Sequence, residues 1–402
     1  VSSYWTLLKT PGVARLIGAQ LTARFPFGML SLAFLIHIEA LFDSYAAAGL
    51  VLAAMSIGQA IAGPLTSRLM GRLGMRPVLI ATMVVCTSAI VLMALLPIPV
   101  TGLMVIGFIA GLSMPPVQPA VRTIYPKVVN SRQLTPLFSL DASAQEIIWV
   151  LGPVIATFVA IQVSTTAGIL LAAFFLVAGG VWFVALPEVG RVRIPRSRRK
   201  LGVVLKKPEV LLSTIVGFML VAACAAVEAG VVAVFGHGSA NAGWVLGIFA
   251  IGSLIGGLAL GHVPIGPWAL ASRMLIVTFG LALAGLWLNF WWLSAALLLA
   301  GIGIAPAFAV LFGIVSASVK FSDTAEAYGW VGTGQLIGAA LGSAIAGFAI
   351  DHSGAASAIY VAAGFAALGA IIPALGRRWH PDLRGRDVSP IPDTEPISIQ
   401  VS

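Results

Sequence analysis

"PEVGRVRIPRSRRKLGVVLKKP", residues 187–208, is polar and basic in a chain that is otherwise a succession of apolar runs. Each run is about 20 residues long, the length a helix needs to cross the hydrocarbon core of a bilayer. Six lie before this stretch, centred near Ala33, Ser56, Val85, Gly107, Val150 and Ala173. Six follow it, near Val221, Ile251, Thr278, Leu299, Leu341 and Ala363. Composition points the same way: 59 % of residues are hydrophobic and only 9 % are charged, against about a quarter charged in soluble domains. The sequence therefore predicts an all-α integral membrane protein of 12 transmembrane helices. Residues 1–186 form one six-helix lobe, 187–208 a basic linker, 209–376 a second six-helix lobe, and 377–402 a disordered tail. The last assignment follows from the proline-rich, acidic end, "DVSPIPDTEPISIQVS", which has too little apolar surface to fold.

The formal charge of +9 would suggest a nucleic-acid partner in a soluble protein. Its distribution excludes that reading. The loops "FDSY", "PIPVT", "QVSTT", "GHGSAN", "NFWW" and "IDHSGAA" carry no Lys or Arg. All but one of the 23 basic residues fall in the alternate loops, the linker or the ends of the chain. That alternation is the positive-inside pattern; it supports the helix count and predicts cytoplasmic N- and C-termini in a plasma (inner) membrane. The exception is Arg24, inside the first segment. No cleavable signal peptide is expected, because the first apolar run is too long and follows a basic, Pro-containing lead.

The two groups of six resemble each other. "AGLSMPPVQP" (110–119) aligns without gaps to "AGIGIAPAFA" (300–309), and at the same offset "QEIIWVLGPVIATF" (145–158) aligns to "QLIGAALGSAIAGF" (335–348). Gln145 matches Gln335 and Gly152 matches Gly342. The lead "LLKTPGV" (7–13) recurs as "VLKKPEV" (204–210). A six-helix unit duplicated in one orientation is the pattern of a two-lobed transporter with its site between the lobes near mid-membrane.

The loop between the second and third segments, "GPLTSRLMGRLGMRPVLI" (63–80), resembles the signature loop of the major facilitator superfamily, Gly-x-Leu-x-Asp-Arg-x-Gly-Arg-Arg. In the register preferred here Ser67 stands at the leading glycine, Gly71 at the aspartate, Arg72 at the first arginine, Gly74 at the second glycine and Met75-Arg76 at the basic pair. The resemblance implies a gating loop at these positions. The missing aspartate implies a latch that is weaker or that uses Glu326 or another carboxylate. In the fifth segment Gly152-Pro153 is similar to the centre of a Gly-x-x-x-Gly-Pro-x-x-Gly-Gly pattern found largely in exporters, with Ile148 and Ala156-Thr157 departing from it. The helix-4 arginine of drug antiporters would fall on Gly107, so the usual proton-relay account does not carry over.

Ionisable groups at membrane depth are expensive, and they usually face a protein interior or a water-filled cavity. Arg24, Asp141, Glu146 and Glu228 are such groups. Arg24 lies about 16 Å into a helix starting near Val13; with the fifth helix starting near Thr135, Glu146 matches that depth and Asp141 lies about 9 Å deep. One of the two carboxylates is expected to meet Arg24: Glu146 by depth, with Asp141 the open alternative. Glu228 has no basic neighbour in sequence, which suits a proton carrier. Gln118, Gln145, Trp149 and Gln335 complete the candidate substrate-binding and coupling residues, and Gly152 and Pro153 are assigned to helix packing.

Cys86 and Cys224 lie in apolar runs without metal-ligand spacing, and no nucleotide-binding motif, metal cluster or hydrolytic Ser/His/Asp set is evident. No cofactor or enzymatic activity is expected. The implied function is secondary active transport of a small-molecule substrate by a monomer, most simply proton-coupled efflux. The alternatives are a proton-coupled importer of an anionic nutrient that uses Arg24, or a membrane scaffold or enzyme.

Overall fold

The computed structural model describes residues 2–197, 199–236 and 239–393. In chain order its helices are α1 (Ser2–Lys9), α2 (Val13–Arg24), α3 (Pro26–Phe42), α4 (Tyr45–Leu73), α5 (Met75–Leu95), α6 (Val100–Leu112), α7 (Val117–Val128), α8 (Ser131–Gln162) and α9 (Thr165–Ala185). After the short α10 (Pro187–Arg191) and the linker come α11 (Pro208–Phe235), α12 (Ala240–Leu260), α13 (Ala269–Ala284), α14 (Phe290–Gly301), α15 (Ile304–Ser318), α16 (Phe321–Ser353) and α17 (Ala355–Leu375). Among the described residues, eleven spans are long and apolar enough to cross a membrane, and the apolar α13 is a shorter helix between two of them.

Among the described residues, three spans are broken, two of them at prolines. Pro26 opens α3 and cannot donate a hydrogen bond back into α2, so the first span breaks at Phe25, directly after Arg24. Pro115 and Pro116 interrupt the fourth span between α6 and α7. The tenth breaks between α14 and α15 at Ile302-Gly303, the positions that align with Leu112-Ser113 in the repeat. The duplicated sequence thus carries a duplicated break.

The same helix pairs recur in each half. α3 packs on α8 as α11 packs on α16; α4 packs on α6 as α12 on α14; α5 packs on α9 as α13 on α17. Gly152 sits where α8 meets α3: an added Cβ would lie 2.8 Å from the Gly28 Cα. At its repeat partner Gly342 an added Cβ would clash with the Ala222 carbonyl oxygen of α11.

The lobes meet where the fifth helix of one crosses the second helix of the other, α8 on α12 and α16 on α4. At one crossing the Ser139 hydroxyl donates to the Gly257 carbonyl (2.7 Å), as does the Tyr4 hydroxyl from α1 (2.8 Å). At the other, a Cβ on Gly329 would lie 2.6 Å from the Gly63 carbonyl oxygen, and Thr333 donates to the Ala60 carbonyl (2.7 Å). Ser139 aligns with Gly329 and Ser143 with Thr333 in the repeat, so the two crossings are related by it. Both lie toward the end of the molecule that carries the linker, here called the linker side.

Residues 377–393 depart from the expected disorder. Leu383 donates its N–H to the Ile265 carbonyl (2.9 Å), and Ile391 exchanges backbone hydrogen bonds with Val319 and Phe321 (2.9 and 3.0 Å). Asp393 accepts from the Ser322 N–H and hydroxyl at the start of α16 (3.1 and 2.6 Å). Backbone pairing and a helix cap hold this strap where composition alone suggested none. Residues 394–402, the rest of the expected tail, lie outside the described residues, as does Arg198.

Candidate functional site

Asp141 is the centre of the buried charge. Its Oδ1 accepts from Gln20 Nε2 (2.9 Å) and Arg24 Nη1 (3.3 Å), and its Oδ2 accepts from Arg122 Nε (3.2 Å). The side chains of Arg24, Arg122 and Asp141 are only 4, 2 and 0 % exposed. Arg24 also donates to Gln20 Oε1 (2.7 Å) and to Gln145. Turned so that its oxygen faces the guanidiniums, the Gln118 amide accepts from Arg122 Nη2 (2.7 Å) and Arg24 Nη2 (3.1 Å); the network fixes that orientation.

This arrangement corrects two expectations. Arg24 pairs with Asp141 and not with Glu146, because α8 begins at Ser131, where Asn130 caps it by accepting from Gln133 N–H (3.1 Å). Four residues of added helix put Asp141 about 15 Å deep, level with Arg24, and carry Glu146 to about 22 Å. The second correction is Arg122, assigned by sequence to a loop and in fact buried in α7.

The Arg122 guanidinium also stacks on Phe312 of α15, 3.4 Å from the ring centroid. Phe312 is the residue that aligns with Arg122 in the repeat. Phe138 and Tyr328 are aligned partners too, with ring centroids 6.4 Å apart. The inter-lobe axis is therefore lined by two pairs of equivalent residues, and one of them has become an arginine–aromatic contact. An arginine over an aromatic face is stabilised by about 2 kcal/mol when desolvated.

The cluster holds two guanidiniums and one carboxylate, so it carries one surplus positive charge inside the membrane-spanning core. Its polar neighbours Gln118 and Gln145 are only partly buried, unlike the arginines.

The other carboxylates lie elsewhere. Glu146 Oε1 accepts from the Ser253 hydroxyl of α12 (2.8 Å), a hydrogen bond that joins the lobes. Glu228 lies on an exposed face of α11. Trp149 is 52 % exposed. Gln335 packs near Gly217, and its Nε2 is buried without a hydrogen-bond partner among the described residues. Gln335 is not brought to the arginine cluster that its repeat partner Gln145 joins.

On the linker side Glu326 of α16 takes up Arg68 of α4 (Nη1–Oε2, 2.7 Å) and the Gly202 N–H of the linker (2.7 Å). Arg72 makes no ion pair among the described residues, Arg76 donates to the Leu186 carbonyl (3.1 Å), and Ser67 is buried. Gly74 turns the chain with φ +92°, a conformation that favours glycine. The arginine that meets Glu326 is thus Arg68, one helical turn before the residue singled out by the motif.

The sequence matches the Major Facilitator Superfamily over residues 16–269 and 227–397. No match is found among curated proteins. Solved structures with the same fold include the human organic anion transporter MFSD10 (TETRAN), 15% identical with TM-score 0.68, covering 90% of this chain and 100% of that one. A bacterial homologue of the iron transporter ferroportin in an outward-facing state is 13% identical with TM-score 0.71, covering 91% and 98%. The proton:xylose symporter XylE bound to 6-bromo-6-deoxy-D-glucose is 13% identical with TM-score 0.67, covering 94% and 97%. Two six-helix halves built on one repeat and a family match across nearly the whole chain lead to one conclusion: the chain belongs to the major facilitator superfamily.

Proposed function

We propose that the chain is a proton-coupled secondary transporter of a small organic anion, working by alternating access between its lobes. The surplus positive charge of Arg24, Arg122 and Asp141 carries this reading. A buried charge without a counter-ion is costly, and a substrate carboxylate or sulfonate would offset it after displacing Gln118 and Gln145. Glu146, which ties α8 to Ser253 of the opposite lobe, and Glu228 are the proposed proton carriers. Protonation of Glu146 would change the strength of a bond that exists only when the lobes meet on the linker side.

With both termini cytoplasmic in the plasma membrane, this arrangement is outward-facing and the protein acts as a monomer. The Gly152-Pro153 pattern favours export. Import of an anionic nutrient by proton symport is the second reading, favoured by the same surplus charge, since a co-transported proton neutralises an anion's charge. Proteoliposomes with an imposed pH gradient separate the cases. Organic monoanions should move with the gradient, and organic cations of equal size should not. Transport confined to cations would overturn the reading, and the sign of the gradient that drives accumulation gives the direction.

A further inference from the structure

A second basic site lies on the linker side, away from the proposed substrate cluster. Arg68 and Arg72 stand one turn apart on the last turns of α4, a spacing that places them on one helix face. The linker folds back over them, bringing Arg196, Ser197 and Arg199 to the far wall of a hollow of about 550 Å³. Its close approach depends on Gly71, where an added Cβ would lie 3.2 Å from the Pro195 carbonyl oxygen.

The walls are fixed by the opposite lobe. Arg68 is held by Glu326 and by the Arg199 carbonyl. Ser197 donates to Asp323 Oδ1 (2.6 Å), and Arg199 lies 3.8 Å from Asp323 Oδ2. Arg72 and Arg196 have no hydrogen-bond or ion-pair partner among the described residues. Among the described residues, four guanidiniums against two carboxylates leave two positive charges unanswered around one opening.

We propose that this hollow binds a phosphate-bearing anion and that the bound anion favours closure of the linker side. Guanidinium forks match phosphate oxygens in bidentate geometry, and basic pockets between membrane helices take anionic headgroups. The effect on conformation follows from where the walls come from. Arg68 and Arg72 belong to one lobe, while Ser197 and Arg199 are tied to α16 of the other. Separation of α4 from α16 breaks up the hollow, so the anion binds the closed arrangement better. Differential affinity of that kind is what shifts a two-state equilibrium. The phosphate could belong to a phospholipid headgroup or be free in solution.

The experiment uses the full chain in nanodiscs, with Cys86 and Cys224 replaced by alanine and spin labels at exposed Leu73 and Leu375. Three conditions are compared: phosphatidylcholine alone, phosphatidylcholine with phosphatidylglycerol, and phosphatidylcholine with inorganic phosphate in the buffer. Phosphatidylglycerol or phosphate should raise the population with the short label distance by roughly five-fold per engaged arginine, and the effective condition identifies the source. The double variant Arg72→Gln/Arg196→Gln should lose the response, and Arg72→Lys/Arg196→Lys should retain part of it. Equal distance distributions in all three conditions, or an undiminished response in the glutamine variant, would overturn the proposal. Both variants alter exposed side chains, and a thermal melt checks that they remain folded.

Discussion

Asp141 answers two arginines at once, so its removal and theirs are not equivalent. Asp141→Asn leaves two buried guanidiniums facing each other without a carboxylate. Breaking a buried pair in this way costs about 3–5 kcal/mol. Arg24→Gln leaves one arginine with one carboxylate, and its cost should be smaller. Thermal unfolding in detergent should therefore rank Asp141→Asn as the less stable of the two, and the reverse order would mean that the surplus charge is offset in some other way. Glu146→Gln keeps an acceptor for Ser253 but cannot exchange a proton. It should leave the melting temperature close to that of the parent while abolishing the dependence of transport on a pH gradient. The sequence revealed Arg24, Asp141 and Glu146 as misfits in apolar runs but assigned the wrong pair. The error was one of depth: Pro136 invites a helix start at Thr135, whereas the Asn130…Gln133 capping spacing marks the true one. Arg122 was missed because a basic residue near a loop reads as a topology signal. Its alignment with apolar Phe312 was the available clue that it stands at an interior position.

Glycine sets how closely α8 and α12, and α16 and α4, can approach. At Gly329 an added Cβ would meet backbone, the Gly63 carbonyl oxygen at 2.6 Å, and backbone cannot rotate away as a side chain can. Gly329→Ala should therefore push α16 off α4 and disfavour the arrangement closed on the linker side. Spin labels at Leu73 and Leu375 should report a longer distance, and an unchanged distribution would show that the crossing is not limiting. The strap of residues 377–393 is a second element-scale feature. His380 is buried within it, and burial holds its imidazole below the ordinary histidine range, opposed by the Pro381 carbonyl and by Asp382. A depressed histidine favours the docked strap above its free value of about 6.5 and loses that contribution as pH falls through the lowered value. Amide exchange across 377–393 should accordingly quicken, relative to the helices, as pH is lowered from about 7.5 to about 5.5 after correction for the intrinsic rate. Equal protection at both values would remove His380 from the account. Composition could not show this strap, because its order comes from Ile265, Val319 and Ser322, residues far from it in sequence.

Duplication explains which features of the whole molecule could be read from the chain. What both halves share was legible in outline: the six-helix unit, its repeat and the matched Gly152 and Gly342 are visible in the letters, whereas the helix pairs and the broken spans come from the structure. Where the halves differ, only the structure places the residues. Val331 stands where the first half has Asp141, Leu336 where it has Glu146, and Phe312 where it has Arg122. A symmetric scaffold can rock between two arrangements, but its bias must come from groups that lie on one side of the axis. On the linker side Glu326 joins the lobes: it binds Arg68 of the opposite lobe, the Gly202 N–H of the linker and, at 3.4 Å, the Trp330 indole N–H. Glu326→Gln retains the shape and one acceptor but removes the charge facing Arg68. A hydrogen bond to a charged group contributes about 1.5–3 kcal/mol, and 1.4 kcal/mol is a factor of ten in an equilibrium. The population closed on the linker side should thus fall by about ten-fold or more relative to the open one. A cysteine introduced at Gly63, packed against α16 in the closed arrangement, is too close to its neighbour to serve as a neutral reporter. The exposed pair Leu73 and Leu375 serves instead. If Glu326→Gln leaves their distance distribution unchanged, the glycine crossings alone hold the lobes together and the latch contributes nothing to the bias.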